Sequence, residues 1–330
     1  MDRRNLLKMA GAAAVARVGA GCDKLVVFDG TAGDGVGLTP ITPNAEFYVY
    51  ACCGMPSVDV ETHRVTIAHE SIALGSLSRA DLEALGGIDK EHTLECIGST
   101  PRIQHVSNAV WTGLPLTDVL DALGIAIPPS AVGLRLVGAD DYTAGIPIAD
   151  LADGPVWLVW RMNGQPLPPE HGAPARLLVP GRYGMKNLKW VTEIAFVDTP
   201  HASFWTQYGW SEDAPYLPNT MIAAPLDATS VERGDRVRFL GTAYAGSDPV
   251  TAIDVAVDDG PWVPATLDYA PGVPDVWALW SFDWTAVSGA HTIQARCTTA
   301  SGARSVEDPD GTDRYAGYDG SMRITVEVVG

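Results

Sequence analysis

Positive charge is what this chain has least of. Twenty-two basic residues stand against 40 acidic ones, for a formal net charge of −18. A surface this acidic repels nucleic acid and anionic lipid and favours a basic protein partner. Cysteine is scarce as well, with five in 330 residues. No C-x-x-C pair, no C-x-x-C-H and no H-E-x-x-H occurs, which argues against covalent haem in this chain and against ordinary zinc sites. The adjacent Cys52 and Cys53 are poorly placed to bridge each other. Long apolar runs are missing too: the stretch from Met9 to Ala16 is too short to span a bilayer, and Arg17 interrupts it. Regular β-helix-β spacing is also absent, so a doubly wound sheet is not expected.

What is present begins with "MDRRNLLKMAGAAAVARVGAGCDK", where Arg3 and Arg4 precede a mildly apolar run. Residues 1–24 read as an export signal of the twin-arginine kind, which places the protein in the periplasm or otherwise outside the inner membrane. "GAGC", ending at Cys22, resembles a lipoprotein cleavage site and would put a lipid anchor there. Residues 25–40 carry Gly30, Gly33, Gly35 and Gly37 but lead into Pro40 and Pro43 rather than an amphipathic helix, so they read as a linker.

The remaining length suits two domains. Over 41–224, short helices interleave with strands and proline-rich loops, an α+β pattern. "SLSRADLEALGGI" offers Ser78 as N-cap, Asp81 to complete a capping box and Gly86 as a stop; "PLTDVLDALGI" puts Leu116, Val119, Leu120 and Leu123 on one helical face. From 225 to 330 the period drops to two, as in Ile253, Val255 and Val257, or Met322, Ile324, Val326 and Val328. Several such strands read as an all-β immunoglobulin-like sandwich with Cys297 in its core.

Two features carry chemistry. Between Arg161 and Lys189 five basic residues (Arg161, Arg176, Arg182, Lys186, Lys189) face one acid, Glu170, an anion site in a repelling background. Within it, the Pro-Gly turn followed by Lys186 and Lys189 can aim N–H and ammonium groups at one phosphate, or can be a solvated loop. The second feature is Cys96 in "HTLEC". It shares a strand face with His92 and Leu94, which would bury the thiol as a small hydrophobe unless it has a ligand to hold.

The runs "TLECIGS", "SNAVWTGLPLTDVLDALG", "GADDYTAGIPI", "MNGQPLPPEHGAPARLLVPGRYGMKNLKWVTEIAFVD" and "FWTQYGWSEDAP" resemble, in order and spacing, the sulfite oxidase family of molybdopterin enzymes. The resemblance implies a sulfite-oxidase-type molybdopterin-binding fold over 41–224, followed by an immunoglobulin-like dimerisation domain that makes a homodimer. It implies that Cys96 is the thiolate ligand of molybdenum held by molybdopterin, a role suited to a soft donor. It also implies that His171, Arg176, Asn187, Leu188 and Lys189 hold the pterin and its phosphate, with Tyr48, Val49 and Asp140 as further cofactor contacts. Tyr208 is matched to the family's active-site tyrosine, though it also reads as a packing aromatic beside Trp205 and Trp210.

The expected activity is oxygen-atom transfer on a small oxyanion or an S- or N-oxide, with electrons exchanged with a separate carrier such as a c-type cytochrome. Where the family carries arginines around an oxyanion, this chain has Tyr50, then Ser99, Thr100 and Pro101 after Cys96, with Arg102 only nearby. That difference favours a neutral substrate and a reductase direction as one alternative. A cofactor-free immunoglobulin-like binding protein is the other, and the basic segment argues against it.

Overall fold

The computed structural model describes residues 26–28, 38–153, 156–225, 227–308 and 315–329. The export-signal reading of 1–24, with Cys22, lies outside them. Some of the stretch read as a linker is a strand: Val26–Phe28, a β-favouring Val-Val-Phe, pairs antiparallel with Val49–Ala51.

The N-terminal half is built on two five-stranded sheets. One runs in the order Ile72–Leu77, Val65–His69, Val191–Val197, Gly133–Gly138, Thr143–Pro147. Its pairings are antiparallel except Val65–His69 with Val191–Val197. In the other, Ile88–Glu95 pairs with Val106–Pro115, and that strand with Trp157–Met162, whose far edge takes both Gln165–Pro166 and Arg176–Leu178. Alternate residues of the two sheets, among them Ile67, Leu136, Ile194, Leu158 and Trp160, share one core with the apolar faces of two short helices.

Those helices form where their patterns predict. Ser78 caps Arg79–Ala84 with both halves of the capping box made through Asp81, and Leu116–Ala122 buries Leu116, Val119 and Leu120. The α+β expectation is nonetheless corrected to a mostly β fold. The helices span six, seven and four residues, too few turns to form a layer.

In the C-terminal half, a pair of sheets encloses a second core. Asn219–Ala224, Arg236–Tyr244, Ala278–Thr285 and Thr266–Tyr269 form one. Thr229–Glu232, Arg323–Val329, Gly289–Thr299, Val250–Val257 and Val263–Pro264 form the other. Between them lie Phe239, Trp280, Ile253, Val255, Ile293, Ala295, Cys297, Ile324 and Val326, the inward members of the period-two runs. Among the described residues no helix is long and apolar enough to cross a membrane.

The halves meet along Ile88–Glu95. Thr93 accepts from Tyr244 Oη at 3.1 Å and from the Trp277 N–H at 2.9 Å, and its own N–H reaches Asp275 O at 2.8 Å. This seam clamps the strand whose last residue precedes Cys96.

Candidate functional site

Strand alternation sends neighbouring residues of Ile88–Glu95 into different surroundings. Glu95 faces the seam, where Asn219 donates to its carboxyl at 3.0 Å and burial pushes it up to about 8. Leu94 turns the other way, into a cluster with Ala109, Trp111 and Leu178, and Cys96 packs on the same cluster. The loop after it is pinned to itself. Cys96 N donates to His105 O at 3.0 Å, Ser99 N to Cys96 O at 2.9 Å, and His105 N to Ser99 Oγ at 3.0 Å. The partly exposed Cys96 lines a cavity of about 480 Å³. Burial, with Glu95 adding to it and the Gly98 N–H opposing, pushes the thiol up to about 11.

Arg176 and Lys189 also line the cavity, and their environment is unusual. Arg176 is 4% exposed; it donates to the carbonyls of His171 and Asn187, both at 3.0 Å, and its Nε is buried without a partner. Lys189 Nζ donates to Glu170 O at 3.0 Å and lies 4.2 Å from the Trp190 ring centre. Neither cation makes an ion pair among the described residues. Burial lowers Arg176 to about 10, and burial together with Arg176 lowers Lys189 to about 7. Gly172, at φ +110°, permits this crowding: a Cβ there would sit 3.0 Å from Lys189 Cβ and 3.2 Å from Arg176 Cβ. His171 Nε2 donates to Asn44 O at 2.7 Å, and burial holds the ring low, at about 4, so it is neutral with Nδ1 left as an acceptor.

The buried Arg176 and half-buried Lys189, held by carbonyls and by the rings of Trp111 and Trp190 and with one orphaned N–H, lack an ion-pair partner. The donor set fits a phosphate-bearing cofactor at this end and a metal at the thiol. Among the described residues no group of three His, Cys, Asp or Glu could hold a metal, so a metal at Cys96 has to bring its own chelate.

Of the residues singled out in the sequence, Tyr48, Cys96, Asp140, His171, Arg176, Asn187, Leu188 and Lys189 line this one cavity. Val49 and Tyr208 do not. Val49 is buried in its strand, pointing away as the neighbour of Tyr48. Tyr208 is 44% exposed and packs on Phe204 and Trp205 outside the lining. Nor does Lys186 share a phosphate with Lys189; it is buried against Glu212 at 2.6 Å. Arg182 pairs with Asp150 and Arg161 with Glu83. Residues whose place in the wall the sequence does not mark include Phe47, Tyr142, Met185 and Trp190, dispersed over four segments. Trp205 and Trp210 line it as well, and there the density of rings in "FWTQYGW" was a usable signal.

Comparison with known proteins agrees with this chemistry. Residues 53–205 match the family described as the oxidoreductase molybdopterin binding domain. Mitochondrial sulfite oxidase of Homo sapiens is 28% identical over 315 residues, covering 82% of this chain and 57% of that protein. The sulfite oxidase of Arabidopsis thaliana is 26% identical over 317 residues, covering 81% of this chain and 80% of that one. The chain thus spans a little over half the length of the mitochondrial relatives it matches. In fold it is similar to the sulfane dehydrogenase SoxCD from Paracoccus pantotrophus, with a TM-score of 0.81 at 20% identity over 94% of this chain and 86% of that one. These matches support a molybdopterin-dependent oxidoreductase of the sulfite oxidase family and imply a molybdenum–molybdopterin cofactor.

Proposed function

We propose that this chain is an exported oxidoreductase of sulfite-oxidase type that catalyses oxygen-atom transfer, with Cys96 as the protein's ligand to molybdenum. The observation that carries the reading is the placement, in one cavity, of the Cys96 thiol with the buried Arg176 and half-buried Lys189, neither of which makes an ion pair among the described residues. A metal chelated by a molecule that also bears a phosphate answers both. When bound, the molybdenum cofactor supplies two-electron oxygen-atom transfer chemistry. The rest falls to the chain. Cys96 must give up its proton on ligation, which its buried position resists in the absence of a cation. Arg176 Nε and Lys189 Nζ supply the donors for the phosphate, and the neutral His171 presents an acceptor beside them.

The wider setting follows the sequence. Residues 1–24 support transfer of the folded protein to the periplasm, with Cys22 as a lipid attachment point. The charge of −18 suits a basic one-electron carrier of the c-type cytochrome kind. The C-terminal sheets, taken as an immunoglobulin-like unit over 225–330, are assigned the homodimer contact.

Metal and pterin analysis of the natively exported protein tests the reading. About one molybdenum per chain is expected for the parent, and close to none for Cys96→Ser in a protein with unchanged circular dichroism. A well-folded parent free of pterin and metal, and refractory to reconstitution, would return the chain to the cofactor-free binding class. Unchanged metal in Cys96→Ser would remove that residue from the metal.

A further inference from the structure

Resting on the reading of Cys96 as the metal ligand, we propose that Asn219, in the C-terminal half, is a positioning residue for the metal: through the buried carboxyl of Glu95 it fixes the strand end that presents the Cys96 sulfur.

Ile88–Glu95 is an edge strand of its sheet, so its outward N–H and C=O groups have no further strand to bond. The C-terminal half completes that edge. Thr93 N donates to Asp275 O at 2.8 Å, Thr93 O accepts from Tyr244 Oη at 3.1 Å, and Glu95 N donates to Tyr216 Oη at 3.4 Å. Tyr216 is itself wedged between Tyr183 and Tyr244, each with its ring centre 4.7 Å away. Gly184 packs against the Glu95 carbonyl so closely that a Cβ there would stand 3.2 Å from its oxygen. Cys96 is the first residue beyond this strand, and its position follows from how Glu95 is held.

The Glu95 side chain carries the grip across the seam. It is fully buried, and Asn219 Nδ2 donates to its two oxygens at 3.0 and 3.3 Å; among the described residues no other donor reaches them. Asn219 is in turn 2% exposed and firmly seated. Its Nδ2 also donates to Leu217 O at 3.1 Å, and its carbonyl accepts from Cys297 Sγ at 3.6 Å in the second core. It lies opposite Tyr244 in the C-terminal sheet, so two cross-strand neighbours take hold of Glu95 and Thr93, residues two apart on the edge strand. Without Asn219 the buried carboxyl loses its donor, and the strand end has to shift or open to find another. The shift passes to the next residue, as the loss of an outer partner does at metal ligands generally.

The exported protein tests this through three measurements on each variant: molybdenum content, the electron paramagnetic resonance of molybdenum(V) and the urea midpoint. Asn219→Leu, which removes the donor and keeps the bulk, should shift the molybdenum(V) signal and weaken the hold on the metal about tenfold. Glu95→Gln, which still accepts from Asn219, should keep the parent's signal. Tyr244→Phe, which cuts the Thr93 contact at the same seam, should lower the urea midpoint and leave the signal unmoved. An unshifted signal in Asn219→Leu, or an equal shift in Tyr244→Phe, would overturn the proposal. Should Asn219→Leu fail to fold, Glu95→Met removes the acceptor from the other side, and its signal decides in the same way. A molybdenum-free parent would instead sink the cofactor reading. Amide hydrogen exchange of the peptide from Leu94 to Gly98 then decides the positioning: exchange at Cys96 should be about tenfold faster in Asn219→Leu, and an unchanged rate would overturn it.

Discussion

Lys186 and Lys189 stand three residues apart in one basic segment and meet opposite fates. Lys186 is 2% exposed and fully answered: its ammonium donates to Glu212 and Ser203 Oγ at 2.6 Å and to Gly145 O at 2.7 Å. Lys189 has one carbonyl and the face of Trp190, and its neighbour in space is another cation, Arg176. Burial costs a charge several kcal/mol unless it is paired, so the first arrangement is self-sufficient and the second is not. A cluster of basic residues in sequence therefore marks a neighbourhood, and the missing counter-ion marks the binding site within it.

The largest expected effect breaks the incomplete half. Each charge-assisted hydrogen bond to a phosphate contributes about 1.5–3 kcal/mol, so Arg176→Gln and Lys189→Met should each lower cofactor affinity roughly 10- to 150-fold. Combined, they should yield a protein purified empty of pterin yet about as resistant to urea as the empty parent, because the three carbonyl hydrogen bonds lost are offset by the removal of two charges that had no carboxylate to leave behind. A double variant that keeps its pterin would show that the cations serve the fold. Lys186→Met should do the reverse, retaining the cofactor while losing about 1–3 kcal/mol of stability as Glu212 is left to Ser203 and Thr206. The lower end of that range is favoured by the 39% exposure of the Glu212 side chain.

How far the sequence carried this distinction depends on the range of the forces involved. Period-two runs in the C-terminal half announced their inward residues, because each strand's alternation is local and Ile253, Ile293 and Ile324 had no other way to be buried. Ser78 and Asp81 announced a helix start for the same reason. Helix content was overread in the N-terminal half, since an apolar stripe of one or two turns, such as Leu116 to Leu120, cannot tell how much helix tertiary packing will retain. At the site, Cys96, Arg176 and Lys189 were found through resemblance and local charge. Which of the five basic residues lacked a partner was not legible, because Glu212, Asp150 and Glu83 reach Lys186, Arg182 and Arg161 from 26, 32 and 78 residues away. Tyr208 was matched to the family's active-site tyrosine by its place after "AFVD", yet the short helix Phe204–Tyr208 turns Trp205 inward and Tyr208 out.

The comparison sharpens further as a function of pH. Lys189 is held down at about 7 from its ordinary 10.5 by burial and by Arg176. Between those values the folded protein binds fewer protons at this residue than the unfolded chain does, so the stability passing through Lys189 rises with pH, by at most about 1.4 kcal/mol per unit. Glu95, raised to about 8, acts the other way below that pH, since its folded form retains a proton that the unfolded chain releases. Subtracting the urea stability of Lys189→Met from that of the cofactor-free parent removes the Glu95 contribution, which both share. The difference should climb from pH 7 to pH 9. With the cofactor bound, its phosphate pairs the ammonium, restores an ordinary lysine value and should flatten the climb. A flat difference in the empty protein would mean that Lys189 is solvated rather than waiting for an anion, and the contrast with Lys186 would then be one of partner number alone.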